Sequence, residues 1–223
     1  MGSNITAITT FCMNDEYVET CLGSFMKLFP NIPVVVVNNS PLDDLCTENL
    51  ERVDGIKLIN TGKNMGHGQG LLRGMEEVKT KYVLIFDSDV LFKLRKLIPD
   101  MLSLMDDDTY GVGFVMWHGM DGKHCRPHLL SEDRPAGAMK YLHPFCVLIN
   151  VSVYEQYPKF DGFLIKNNKP HGAPMMSAMK AIYDAGKEHI IKLLPESSYV
   201  KCKYWHHESG GVRMILRKQE LCK

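Results

Sequence analysis

The chain has 223 residues, of which 45% are hydrophobic and 23% are charged, a composition typical of globular proteins that excludes a disordered chain. The 26 basic and 26 acidic side chains give a formal net charge of zero, which excludes a generally basic nucleic-acid binder. No apolar run approaches the roughly 18 residues of a transmembrane helix, and the first residues do not have the pattern of a secretory signal.

The cysteine content indicates free thiols. The chain has seven cysteines, an odd number, and no CxxC spacing, which predicts reduced side chains and not a disulfide framework. Those in apolar segments are expected to be buried, and they are Cys12, Cys21, Cys146 and Cys202. We therefore expect a cytoplasmic protein, for which peripheral association with a membrane stays open.

Short β-rich runs alternate with helical patterns in the first half of the chain. The predicted elements are a strand at 5–11, a helix with Asn14 as its N-cap and an apolar stripe from Tyr17 to Phe29, strands at 32–37 and 56–59, a helix carrying Leu71, Leu72, Met75 and Val78, and a strand at 82–86. This alternation predicts right-handed crossovers and an α/β fold in one domain, with a mixed, mainly parallel central sheet flanked by helices.

The second half is less regular. It is predicted to contain strands at 112–117 and 145–151, a helix at 175–185 closed by Gly186, and a half-exposed edge or antiparallel strand at 199–205. Residues 118–144 show no clear period and are predicted to form a long loop, a kind of segment that tends to be functional in a compact domain.

Two carboxylates follow the apolar strand at 82–86, in the sequence Asp87-Ser88-Asp89. Ligands of an open parallel sheet bind off the carboxyl ends of its strands, and side chains two apart in an extended segment point the same way. Hard oxygen ligands placed in this way suit Mg²⁺ or Mn²⁺ bridging a diphosphate. The alternative is an acidic turn in which Asp89 caps a helix; residues 106–108, also acidic, are interpreted as a solvated helix end.

A glycine-rich segment at 64–70 joins a predicted strand to a predicted helix. Its backbone N–H groups and the helix N-terminus are placed to face phosphate or ribose. The alternative is a dinucleotide fingerprint, in which Gly66, His67 and Gly68 precede Asp87 by about 20 residues. In that alternative the third glycine, Gly70, comes one position early.

Two adjacent histidines, His206 and His207, follow the last predicted strand. Neighbouring side chains of an extended segment point to opposite faces, so at most one of them readily joins a given metal. A zinc site built from Cys202 and His206 lacks a second pair of ligands at a suitable spacing.

In this order, the features resemble those of glycosyltransferases with the Rossmann-like GT-A fold, most of all the family-2 nucleotide-sugar transferases. The resemblance covers most of the chain and rests on residues 5–14, 35–40, 64–68 with Gly74, the DxD motif at 87–89, 145–162, and one of the two late histidines. It implies a nucleotide-binding half at 1–92 and an acceptor-side half at 93–223.

The resemblance also implies an activity, the metal-dependent transfer of a sugar from a nucleoside-diphosphate sugar, with a UDP-sugar expected, to a glycan or other hydroxyl acceptor. Mn²⁺ or Mg²⁺ would be held by Asp87, Asp89 and one of His206 and His207. Trp117 and His118 would shape the acceptor side; the alternative for these two residues is a core tryptophan beside a solvated histidine. The implied nucleotide contacts are Thr9, Thr10, Asn38, Asn39, Lys63, Gly66, His67, Gly68, Asp87 and Ser88.

The chain departs from the family pattern at the catalytic base. Inverting members carry a Glu-Asp pair after the Phe160-Asp161 segment, whereas no carboxylate lies between Asp161 and Asp184 here. Either His171 or Asp161 is the base, or the enzyme retains anomeric configuration and needs none. Two further alternatives stay open, a nicotinamide-dependent oxidoreductase that uses the Gly66–Gly68 loop and a non-catalytic nucleotide-sugar-binding module.

Overall fold

A computed structural model describes residues 4–13, 15–41, 48–119, 134, 136–160, 164–166, 169–171, 174–198 and 201–207. The strands are β1 (Ile5–Phe11), β2 (Val34–Asn38), β3 (Ile56–Asn60), β4 (Tyr82–Phe86), β5 (Val90–Phe92), β6 (Gly111–Gly119), β7 (Ala138–Asn150), β8 (Leu164–Lys166), β9 (Lys169–His171), β10 (Ile191–Leu193) and β11 (Trp205–His207). The helices are α1 (Asp15–Leu28), α2 (Glu48–Glu51), α3 (His67–Met75), α4 (Leu97–Ser103), α5 (Val151–Tyr154) and α6 (Met176–Asp184), with a 3₁₀ turn at Glu188–Ile190.

A seven-stranded sheet forms the centre of the molecule, in the order β10-β6-β7-β4-β1-β2-β3. Four of its strand pairs are parallel, and β7 is antiparallel to both neighbours, β4 and β6. The predicted fold class, a mixed and mainly parallel sheet flanked by helices, is confirmed. Two small antiparallel pairs, β5 with β11 and β8 with β9, lie outside this sheet.

The central strands are apolar because both faces of the sheet are covered. Every residue of β1 and of β2 is buried, which explains the four consecutive valines of β2, whereas β1 buries three threonines among its apolar residues. Helix α3 packs on β1 and β2, and it approaches β1 so closely that a Cβ on Gly74 would lie 2.7 Å from Cγ2 of Ile8. Glycine is therefore required where α3 crosses β1.

The long loop predicted at 118–144 is wrong at both ends. Strand β6 continues to Gly119 and β7 begins at Ala138, and the two form an antiparallel ladder that pairs Val115 with Leu142 and Gly119 with Ala138. Lys140 and His143 interrupt the apolar pattern of this part of β7, so the strand is defined by its pairing with β6 and not by its own periodicity.

Other predicted boundaries shift for local reasons. Strand β2 begins at Val34 because Ile32 still bonds back to Phe29 O at the end of α1. Helix α3 begins inside the glycine-rich segment and ends before Val78.

The last predicted strand, at 199–205, lies instead at 205–207. Asn14 is outside the described residues, so its N-cap role stays a prediction. None of the helices in the described ranges has the length and hydropathy needed to cross a membrane.

The four cysteines predicted to be buried are all free thiols, but only two are buried. Cys21 and Cys146 lie in the core, whereas Cys12 and Cys202 are half-buried. Cys12 follows the end of β1, and Cys202 lies in the turn before β11, where neighbouring elements cover each side chain only in part.

Candidate functional site

Two carboxylates and an imidazole meet at the carboxyl end of β4. Asp87 and Asp89 lie in the turn between β4 and β5, and β11 pairs with β5 so that His207 lies opposite Val90. His207 Nε2 is 3.2 Å from Asp89 Oδ1 and 3.6 Å from Asp87 Oδ2. One ligand atom from each of the three residues lies within 4.8 Å of the other two, the compactness that a single cation requires.

No helix follows Asp89, so the alternative in which Asp89 caps a helix is wrong. The chain continues directly into β5, and Val90 donates its backbone N–H to Asp87 O. Residues 106–108, by contrast, are exposed in the turn after α4, as expected for a solvated acidic run.

Phe145 on β7 holds two members of this cluster. Its carbonyl oxygen accepts a hydrogen bond of 2.9 Å from the backbone N–H of Asp87. Its ring stacks on the imidazole of His207, with centroids 4.7 Å apart and planes inclined by 5°. Phe145 therefore contacts Asp87 through its backbone carbonyl and His207 through its ring, although Asp87 and His207 lie 120 residues apart in the sequence.

The two late histidines have different environments, as strand alternation requires. His207 is 2% exposed and faces the carboxylates, whereas His206 is half-buried and pairs with Leu91. His207 is therefore the one that joins Asp87 and Asp89.

The electrostatics of the cluster favour a bound cation. Burial raises the pKa of Asp87, and the nearby charge of Asp89 raises that pKa further, whereas His67 and His207 lower it. Two carboxylates this close repel each other, and a divalent cation between them removes that repulsion. Carboxylate oxygens with one imidazole nitrogen are a donor set that fits Mn²⁺ or Mg²⁺.

The glycine-rich segment borders the same cluster. Asn64 Oδ1 accepts from the backbone N–H of Gly66, which has a φ of 87°, and α3 begins at the next residue, His67. His67 Nε2 lies 3.4 Å from Asp87 Oδ1. The N-terminus of α3 and the acidic turn after β4 are therefore adjacent.

The two predicted base-binding amides are both bonded within the protein. Asn38 Nδ2 donates to Asn60 Oδ1, and Asn38 Oδ1 accepts from the backbone N–H of Ser40. Asn39 Nδ2 donates to Gly66 O at 3.1 Å, which fastens the glycine-rich segment to the end of β2. A contact of either amide with a nucleotide base stays a prediction.

The remaining predicted nucleotide contacts have mixed environments. Thr9 and Thr10 are buried at the end of β1, and neither hydroxyl has a hydrogen-bond partner within the described ranges. Lys63 is exposed, and Ser88 is buried in the turn between the two aspartates. Their roles stay predictions.

The alternative in which Trp117 is a core tryptophan and His118 a solvated histidine is wrong, because His118 is the more buried of the two. His118 is buried, with Nδ1 2.9 Å from Gly119 O. Trp117 is half-buried, and the guanidinium of Arg134 lies 5.1 Å from its ring centroid. Of the two candidate bases, Asp161 lies outside the described residues, and for His171 the structure describes only its place in β9.

Comparison with known families identifies the chain. The model of glycosyl transferase family 2 matches residues 6–186. The chain belongs to glycosyl transferase family 2. No curated protein sequence matches it.

Solved structures confirm the GT-A fold of this family-2 chain. TarS from S. aureus superposes with a TM-score of 0.57 at 16% identity, covering 98% of this chain and 64% of TarS. Glucosyl-3-phosphoglycerate synthase from Mycobacterium tuberculosis gives 0.56 at 14% identity, covering 95% of this chain and 74% of that enzyme. The mannosyltransferase PcManGT from Pyrobaculum calidifontis gives 0.52 at 15% identity, and this chain covers 49% of its length.

The topology of this family-2 chain argues against the oxidoreductase alternative. A dinucleotide fingerprint follows the first strand, beside the point where the strand order reverses. Here the glycine-rich segment follows β3, the strand at the edge of the sheet, and five residues separate Asn60 from Gly66.

Sequence reasoning missed two contacts of the site. One is the proximity of His67 to Asp87, and the other is the support that Phe145 gives to Asp87 and His207. Neither has a local sequence signal, because both contacts join residues that are distant in the sequence and are brought together only by the fold.

Proposed function

We propose that this chain transfers a sugar from a nucleoside-diphosphate sugar to a hydroxyl acceptor, with a divalent cation held by Asp87, Asp89 and His207. The observation that carries the proposal is the convergence of these three side chains at the carboxyl end of β4. When bound, Mn²⁺ or Mg²⁺ supplies charge neutralisation for the departing diphosphate.

The N-terminus of α3 provides a second element for orienting the donor. The backbone N–H groups of a first helical turn point at anions, and the helix dipole favours negative charge there. A Cβ on Gly68 would lie 2.5 Å from Phe160 O, so glycine lets this turn pack against the backbone of Phe160. We propose that this turn faces the diphosphate while the carboxylates hold the cation.

The ligands of the structural neighbours support the donor class. TarS was solved with UDP-GlcNAc, the mycobacterial synthase with Mn²⁺, UDP-glucose and phosphoglyceric acid, and PcManGT with GDP-mannose and Mn²⁺. Two of these three donors carry uridine, and a UDP-sugar remains the donor that we propose. Asp161 and His171 are the proposed candidates for the base that takes the acceptor proton if the reaction inverts configuration.

Release of nucleoside diphosphate tests this proposal. The wild-type chain is incubated with UDP-sugars or GDP-sugars in Mn²⁺, and free UDP or GDP is measured. Asp89→Asn should lower the release rate by more than about 100-fold, because changes outside the first coordination shell already cost 10–100-fold. Asp108→Asn, at an exposed position in the turn after α4, is the matched control and should leave the rate unchanged.

Two results would contradict the proposal. Full activity of Asp89→Asn would remove the metal assignment. Donor binding by the wild type without any release of diphosphate would instead indicate a non-catalytic nucleotide-sugar-binding module.

A further inference from the structure

Asp87 presents its two carboxylate oxygens to two different histidines. Oδ2 lies 3.6 Å from Nε2 of His207, and Oδ1 lies 3.4 Å from Nε2 of His67. Oδ1 is buried and has no hydrogen bond from any residue that the structure describes, so His67 is the group placed to satisfy it. Because an ionised carboxylate only accepts, a hydrogen bond across this 3.4 Å distance requires the imidazole as the donor.

His67 approaches Asp87 from outside the proposed ligand set. The cluster whose ligand atoms lie within 4.8 Å of one another contains Asp87, Asp89 and His207, and His67 is not among them. Metal-binding carboxylates are themselves oriented by hydrogen bonds from outer groups, and removing such a group typically costs 10–100-fold in metal affinity. The location of His67 is that of such an outer group.

The backbone around His67 is fixed by contacts that do not involve its side chain. Gly66 donates to Asn64 Oδ1 and accepts from Asn39 Nδ2, and Gly68 packs against the carbonyl oxygen of Phe160. The imidazole therefore starts from a defined position at the first residue of α3. The side chain itself is 37% exposed, so replacing it opens no cavity in the core.

We propose that His67 is a positioning residue, which donates from Nε2 to Oδ1 of Asp87 and so turns Oδ2 toward the cation. This inference rests on the proposed function, since it assigns the support of the same metal site. His67 thereby links the glycine-rich segment to the acidic turn, the two elements proposed to bind the nucleotide-sugar.

The test is Mn²⁺ affinity, measured from the electron paramagnetic resonance signal of free Mn²⁺ in titrations of the full chain. His67→Ala removes the donor and should weaken Mn²⁺ binding by about 10–100-fold. His67→Gln keeps an N–H donor at a similar reach and should restore most of the affinity. His189→Ala, which removes an exposed histidine of the 3₁₀ turn, is the matched control and should bind Mn²⁺ like the wild type.

Asp89→Asn, measured in the same series, separates this inference from the proposed function. If Asp89→Asn loses Mn²⁺ while His67→Ala keeps wild-type affinity, the positioning role is overturned and the metal site stands. If His67→Ala and His67→Gln lose affinity equally, hydrogen-bond donation is not the role of His67, and the inference also fails. If the wild type binds no Mn²⁺, or Asp89→Asn binds like the wild type, the metal site of the proposed function itself fails.

Discussion

Gly70 shows how tightly a single residue fits behind the site. It lies in α3, where a Cβ would be 2.5 Å from Thr10 Oγ1 and 2.7 Å from Asn39 Nδ2. Both neighbours are buried, and Asn39 also bonds to Gly66 O. A methyl group at position 70 would therefore force Thr10 or Asn39 to shift within the core.

Gly70→Ala should therefore destabilise the protein, by about 1–3 kcal/mol as for other overpacked positions. Gly23→Ala is its matched control, because Gly23 lies in α1 and a Cβ added there would meet no other atom within 4 Å. That change should stabilise the protein by about 0.5–1 kcal/mol through helix propensity. Urea denaturation measures both, and a Gly70→Ala variant as stable as the wild type would contradict the close approach of α3 to β1.

At the level of elements, four phenylalanine rings brace the turn that carries the carboxylates. Phe86 ends β4 and Phe92 ends β5, and their rings lie 5.0 Å apart. Both contact Phe25 of α1, at 5.0 and 5.1 Å, and Phe29 completes the cluster. Helix α1 therefore fixes the two ends of the segment that contains Asp87 and Asp89.

Phe25→Ala should lower stability by about 3–5 kcal/mol, the usual cost of truncating a buried phenylalanine. It should also weaken Mn²⁺ binding, since the acidic turn loses its support. Ile182→Ala in α6 is a matched control, a fully buried truncation outside this cluster that should destabilise by about 2–5 kcal/mol without changing Mn²⁺ affinity. Equal Mn²⁺ affinities for both variants, measured where both are folded, would contradict the bracing role.

An ion pair between Asp106, in the turn after α4, and Lys192 of β10 should make a pH-dependent contribution to stability. Hydrogen bonds from Lys192 and Thr109 lower the pKa of Asp106 to about 2. A carboxylate with a lowered folded-state pKa stabilises the protein above its unfolded pKa, and this contribution is lost as the pH falls through the folded value.

Asp106→Asn should therefore be less stable than the wild type at pH 6, and the difference should shrink as the pH falls from about 4 to 2. Asparagine still accepts from Thr109, so the variant isolates the pair with Lys192. Asp108→Asn, at an exposed neighbouring position, is the control and should be as stable as the wild type at pH 6. Thermal melts at several pH values would measure the difference, and a constant gap across this range would argue against the ion pair.

Elements with a strong local pattern could be predicted from the sequence, and elements formed by long-range pairing could not. The β-rich segment of β1, the apolar runs of β2 and β4, and the position of Asp87 and Asp89 at a strand end were all predictable. Strand β11 was not, because His207 reaches the site through pairing with β5, more than 100 residues earlier. The start of β7 was not predictable either, because Lys140 and His143 obscure its alternation and the strand is defined by its pairing with β6.

For the whole molecule, the two halves of the chain share one sheet. Strand β7, from the half at 93–223, lies between β4 and β6, and its last five residues pair with all five residues of β4. The cluster of Asp87, Asp89 and His207 also draws on both halves. We therefore expect the halves to fold together as the single domain predicted from the sequence.

Equilibrium unfolding in urea should then show one cooperative transition. Both tryptophans, Trp117 and Trp205, lie in the second half, so fluorescence reports on that half while far-ultraviolet circular dichroism reports on the entire chain. The two transitions should coincide in midpoint and slope. Separate midpoints would show that the halves unfold independently.

The most direct test of the central claim is a thermal-shift series with UDP and GDP, each in Mn²⁺ and in EDTA, together with NAD. A ligand at 100 times its Kd stabilises the native state by about 2.7 kcal/mol, or roughly 5–10 °C for a chain of this size. We predict that one nucleoside diphosphate raises the Tm in Mn²⁺, that EDTA abolishes the shift, and that Asp89→Asn lacks it. A nucleotide-induced shift that persists in EDTA, or stabilisation by NAD regardless of metal, would contradict the account.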